Sequence, residues 1–125
     1  MKEYQVKVYP DGTKMWYLNG QLHREDGPAI ECANGEKEWY LNNQRHREDG
    51  PAVEWACGTT FWYLNDQLHR EDGPAYEDAD GTKEWWLNGK EFTEEEFKQR
   101  TQSHKEMTVA QLEQELGYKI KIVKD

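Results

Sequence analysis

Three times in this chain an imidazole, a guanidinium and two carboxylates stand side by side, as His23-Arg24-Glu25-Asp26, His46-Arg47-Glu48-Asp49 and His69-Arg70-Glu71-Asp72. Each set contains what acid–base chemistry needs. An active site, however, is one asymmetric convergence of groups, and these sets are spread at equal spacing. A shared metal fails on distance. If each unit contributes two strands, neighbouring histidines lie about 9–10 Å apart, whereas zinc holds its ligands at about 2.1 Å. Cys32 and Cys57 are also a unit apart, beyond the roughly 7 Å between Cα atoms that a disulfide spans, so free thiols are expected. No nucleophile elbow, phosphate loop or dinucleotide fingerprint is present, and neither metal nor cofactor is expected. Structural work accounts better for a motif that recurs. Asp26 would bond nearby backbone N–H groups, Gly27 would supply an unusual φ and Pro28 would fix the next one. Arg24, Arg47 and Arg70 would pair with acids of the neighbouring unit.

The elements that must position these residues follow the same clock. Trp16, Trp39, Trp62 and Trp85 recur every 23 residues, as do Leu18, Leu41, Leu64 and Leu87, and Asn19, Asn42, Asn65 and Asn88. A second turn position falls at Asp11-Gly12, Asn34-Gly35, Cys57-Gly58 and Asp80-Gly81. Short aromatic runs such as Met15-Trp16-Tyr17-Leu18 between such dipeptides read as strands joined by tight hairpin turns. Alternation puts Trp16 and Leu18 on one face and Met15 and Tyr17 on the other. Proline and glycine at Gly27-Pro28 bend the return strand, which resumes at Ala29-Ile30-Glu31. The expected fold is mainly β: an antiparallel meander of about four hairpin units over residues 11–89, with an N-terminal capping strand in residues 1–10 and a small cap in residues 90–125. In that cap, Thr93-Glu94-Glu95-Glu96 predicts a helix to roughly His104, with Phe92 and Phe97 placed to pack. A second helix from Thr108 would turn Val109, Leu112 and Leu116 inward and stop at Gly117, followed by a strand over Tyr118–Val123. The terminal strands would close the exposed edges of the sheet.

A unit reading Trp-Tyr-x-Asn-Gly-x-x-His-Arg-x-Asp-Gly-Pro-Ala, kept in register three times, resembles the MORN repeat family in the variant carried by bacteria and bacteriophages. The resemblance covers residues 11–89. Arg24, Arg47 and Arg70 stand where glycine is usual, so the membrane and lipid associations proposed for ordinary MORN repeats are not carried over. What the resemblance implies is a repeat protein encoded by a phage and acting in the host cytoplasm.

Composition narrows the functional classes. The 125 residues carry 25 acids against 16 Lys and Arg, a net charge of −9, so direct nucleic-acid binding is not expected. Residues 1–89 hold 17 acids and 9 bases, against 8 and 7 in residues 90–125, which places the acidity on the array. There is no apolar stretch of membrane-span length and no apolar leader, pointing to the cytoplasm. Aromatic residues make up 13% of the chain, with six tryptophans, so the apolar area sits in a few large rings. Trp16, Trp39, Trp62 and Trp85 stack as a cross-strand ladder on one face. Tyr17, Tyr40, Tyr63 and Trp86, with Trp55 and Phe61, form the candidate partner-binding surface on the other, because Tyr and Trp dominate binding hot spots. The first expectation is therefore a non-enzymatic protein-binding module, acting as an inhibitor of a host defence protein, with self-association as another use of the same rings. Two alternatives stand beside it. One is a sponge for a nucleotide-like signal, held by His23, Arg24, His46, Arg47, His69 and Arg70. The other is an acidic mimic of nucleic acid.

Overall fold

The computed structural model describes residues 2–102. The second helix and the terminal strand expected beyond Thr108 lie outside them. Within them the meander is the fold: antiparallel strands added unit by unit, with one helix at the C-terminal end.

The chain opens with β1 (Tyr4–Val8) and β2 (Lys14–Leu18), paired along their whole length so that Val6 lies opposite Trp16. β2 does double duty. Its second half pairs with β3 (Gln21–Leu22) across the Asn19-Gly20 turn, and its first half pairs with β4 (Ile30–Glu31). The next unit splits the same long strand into β5 (Lys37–Glu38) and β6 (Tyr40–Leu41), with β7 (Gln44–Arg45) and β8 (Val53–Glu54) as their partners. β9 (Thr60–Phe61), β10 (Tyr63–Leu64), β11 (Gln67–Leu68) and β12 (Tyr76–Glu77) repeat that plan. The array ends on the continuous β13 (Lys83–Leu87), paired with β14 (Lys90–Phe92), and then α1 (Glu94–Gln102). Through the main sheet the order is β1-β2-β4-β5-β8-β9-β12-β13-β14, and β6-β7 and β10-β11 project as side hairpins.

Tryptophan is the hinge of each unit. Trp16 N–H donates to Ala29 O at 2.8 Å, and its carbonyl accepts His23 N–H at 3.1 Å, so one residue holds both halves of the return strand. Trp39 and Trp62 repeat both bonds with Ala52 and His46, and with Ala75 and His69. The hairpin turns have positive φ at both central residues, such as Asn42 at 50° and Asn43 at 66°, which Asn tolerates.

The core is thin. Ala29, Ala52 and Ala75 are wholly buried on the tryptophan side of the sheet, and Ile30 and Val53 are buried on the other. At the C-terminal end Phe97 of α1 is buried, and the expected capping box is made: Glu96 N–H donates to Thr93 Oγ1 at 3.1 Å and Thr93 N–H to Glu96 Oε1 at 2.9 Å. Those bonds hold the Glu96 carboxyl below its usual range. No helix among the described residues is long and apolar enough to cross a membrane.

Candidate functional site

The two faces of the sheet are finished differently, beginning with the repeated tetrad. Each arginine folds back over the tryptophan of its own unit. The guanidinium carbons of Arg24, Arg47 and Arg70 lie 4.0, 3.9 and 3.9 Å from the ring centres of Trp16, Trp39 and Trp62. Arg47 Nε donates to Asp49 at 3.1 Å, and its Nη1 donates to Pro51 O and to Glu54, both at 3.0 Å. Arg24 does the same with Asp26, Pro28 O and Glu31. The expected pairing with the neighbouring unit is thus corrected. Each guanidinium is satisfied inside its own unit because the bend at Gly-Pro brings the unit's own acids round to it.

Two further expectations change with this geometry. Asp26, Asp49 and Asp72 accept from arginine and not from the backbone of the turn. Gly27, Gly50 and Gly73 do not have positive φ. They are glycines because a Cβ would stand 3.0, 2.7 and 2.9 Å from the arginine Cζ. The tryptophan column is not a ladder of stacked rings either. Its members are separated by guanidinium arms, and no ring pair joins them among the described residues.

Each histidine fastens its unit to the next. His23 Nδ1 accepts the N–H of Asn42 at 3.0 Å, His46 that of Asn65 at 3.1 Å, and His69 that of Asn88 at 2.9 Å. The ring proton then belongs on Nε2, which faces Glu25, Glu48 or Glu71 at 3.3–3.5 Å. Backbone bonds run alongside, from Arg24 N–H to Tyr40 O at 3.1 Å and from Asn43 N–H to Leu22 O at 2.9 Å. Asn43 and Asp66 also accept the N–H of Leu22 and Arg45 through their side chains. The groups that acid–base chemistry would use are thus employed in holding the array together.

The opposite face carries Tyr17, Tyr40, Tyr63 and Trp86 in one row, as alternation requires, but the rings do not touch one another. Tyr17 OH contacts Met15 Sδ at 3.4 Å, Tyr40 OH donates to Glu38 at 3.0 Å, and Trp86 Nε1 donates to Glu84 at 2.9 Å. Arg45 sits between Tyr40 and Tyr63, its guanidinium 5.8 and 5.4 Å from their ring centres, and it reaches Glu38 and Asp66 at 3.6 Å. Burial, with the charge of Glu38 beside it, pushes Tyr40 up to about 12. The structure does bring Trp55, Phe61 and Tyr63 together. Trp55 packs edge-on to Phe61 at 4.9 Å, Phe61 lies 6.3 Å from Tyr63, and Tyr76 joins from β12 at 5.0 Å. Trp55 is 44% exposed.

Tyr76 and Arg45 were not among the candidate site residues, and both had a signal. Tyr76 stands one period after Val53 and two after Ile30, on the face of Phe61, while Arg45 interrupts the leucines at positions 22 and 68. Both cysteines are free thiols. Compared with models of known families, with curated proteins and with solved structures, the chain matches none.

Proposed function

We propose that this chain is a non-enzymatic protein-binding repeat module whose contact surface is the tyrosine face, centred on Trp55, Phe61, Tyr63 and Tyr76. The observation that carries this reading is the asymmetry between the faces. Arginine arms cover the indoles of Trp16, Trp39 and Trp62 from within, whereas among the described residues nothing comparable folds over the four-ring patch, and Trp55 stands 44% exposed at its margin. Rings with polar tips beside half-buried charges such as Arg45 are the usual chemistry of binding hot spots. The resemblance to MORN-variant repeats of phages extends the proposal to the partner: a host protein, engaged in the host cytoplasm and inhibited by occupation of its surface. The six histidines and arginines of the alternative signal-sponge reading are folded onto the chain itself, which leaves the protein-binding reading the better supported.

The test is capture of partner from the native host by the wild type, by Tyr40→Ala/Tyr63→Ala and by Trp55→Ala, with circular dichroism to report the fold. Loss of the same captured protein from both variants, with the spectrum retained, supports the proposal. Unchanged capture removes this face from consideration. Gel filtration separates the remaining case: self-association abolished by Trp55→Ala assigns the patch to a second copy of the chain.

A further inference from the structure

Between successive arginine arms the tryptophan face is cut into slots. One, of about 730 Å³, has Trp39, Leu41 and His46 as its floor and the Glu25-Asp26 and Glu48-Asp49 tips as its walls. The next, of about 490 Å³, has Trp62, Leu64 and His69 below and the Glu48-Asp49 and Glu71-Asp72 tips on either side. Each slot has four carboxylates and two guanidinium groups, and the guanidiniums are already bound to acids of their own units. In the larger slot Glu25 also meets the Lys2 ammonium, which leaves Glu48, shared by both slots, and Glu71 as the tips without a Lys or Arg among the described residues. Glu48 and Glu71 are 83% and 80% exposed, and beyond the histidine at 3.5 Å no described cation meets either of them.

The start of the array shows what such a rim takes. Lys2 precedes Glu25 by one full period, so it occupies the register of the glutamates at 25, 48 and 71 with the opposite charge. Its ammonium is bonded to Glu25 Oε1 beside a cleft lined by Tyr4, Trp16 and Arg24. That bond raises the lysine and lowers the glutamate from their ordinary ranges. Where the first cleft has a lysine facing a glutamate, the two that follow have glutamate facing glutamate.

Spacing sets the form of the missing cation. Slots one unit apart are two strands apart, about 9.4–9.8 Å. A polyproline-II segment advances about 9.3 Å in three residues and, with three residues per turn, returns the third to the same side. A β-strand would turn that residue away. We propose that the two slots bind a basic protein segment in the polyproline-II conformation, one lysine or arginine in each, three residues apart. The aliphatic stems would lie over Trp39-Leu41 and Trp62-Leu64, with the charged heads between the glutamate tips. This surface is separate from the tyrosine face and stands or falls without it.

Two peptides of identical composition test the spacing by calorimetry on the full chain: Pro-Lys-Pro-Pro-Lys-Pro and Pro-Pro-Lys-Pro-Lys-Pro, with indole N–H signals of Trp39 and Trp62 followed by NMR. The first should bind at least tenfold more tightly and shift both indoles. Glu48→Gln, at an exposed tip shared by both slots, should abolish the preference while circular dichroism stays unchanged. Lys2→Ala should admit a third lysine at the same spacing and raise the affinity of a correspondingly longer peptide. Equal affinity for the two peptides, or a preference that survives Glu48→Gln, overturns the proposal.

Discussion

The tryptophan face and the tyrosine face are made by the same strands, yet they are held by different means. On the first, each of the three units that carry an arginine closes over itself, with contacts between residues eight or fewer apart: arginine to aspartate, to proline carbonyl, to glutamate, and to the indole eight residues before it. On the second, side chains meet residues two places along their own strand, as Tyr40 meets Glu38 and Trp86 meets Glu84, or cross-strand neighbours, as Phe61 meets Tyr76, and the residue types change from unit to unit. Met15, Glu38, Phe61 and Glu84 share one position of the repeat, and Leu22, Arg45, Leu68 and Glu91 another. The periodic residues are thus those that the closure of a unit consumes, and the varying ones are those that closure leaves free.

The sharpest way to break this comparison uses adjacent residues that point in opposite directions. Trp39→Ala should cost about 3 kcal/mol, since it removes the floor under Arg47 as well as its own packing. Tyr40→Ala should cost no more than about 1.5 kcal/mol. Urea unfolding of both variants measures the difference, and equal losses would mean that the faces contribute alike. Next in size is His23→Ala, which removes a buried ring together with the acceptor of the Asn42 N–H, for about 2 kcal/mol. Gly50→Ala should be smaller, about 1 kcal/mol. Its Cβ displaces the Arg47 guanidinium from Trp39, against a partial gain from the stiffer unfolded chain. Trp55→Ala, which gives up the edge contact with Phe61 from a half-exposed ring, should cost less than about 1 kcal/mol while abolishing partner capture.

A last prediction concerns pH and belongs to the tyrosine face alone. With Tyr40 pushed up to about 12, the folded chain holds a proton that the unfolded chain releases near 10. Its contribution is complete below pH 10 and is lost as pH rises from 10 toward 12. Tyr40→Phe, which has no such proton, should show a shallower fall in stability across that window. Stability profiles of the two proteins that run parallel between pH 10 and 12 would contradict it.

Much of the architecture was legible because period-2 alternation and the Asn-Gly and Asp-Gly dipeptides act locally. They placed Trp16 and Tyr17 on opposite faces and set the hairpin turns, and the equally local capping box of Thr93 and Glu96 placed the start of α1. The destination of Arg24 was not legible. Whether a guanidinium turns to its own unit or the next depends on the bend at Gly27-Pro28, a three-dimensional feature with no one-dimensional spacing. Gly27 itself was misread for the same reason, since a glycine needed for close approach looks in sequence like one needed for φ. The ring patch at Trp55 and Phe61 was legible as two residues of the right face, but Tyr76 enters it only through the register of β12 with β9.

The histidine at the end of each return strand reaches in one direction only, toward the residue that follows Leu41, Leu64 or Leu87. An array built this way always owes its last member a successor, unless the final unit is written differently. It is: one period after His69 stands Phe92, and one after Arg70 stands Thr93, which starts a helix. A ring with no acceptor to offer and a chain that turns aside into α1 are how this ribbon counts to four and stops.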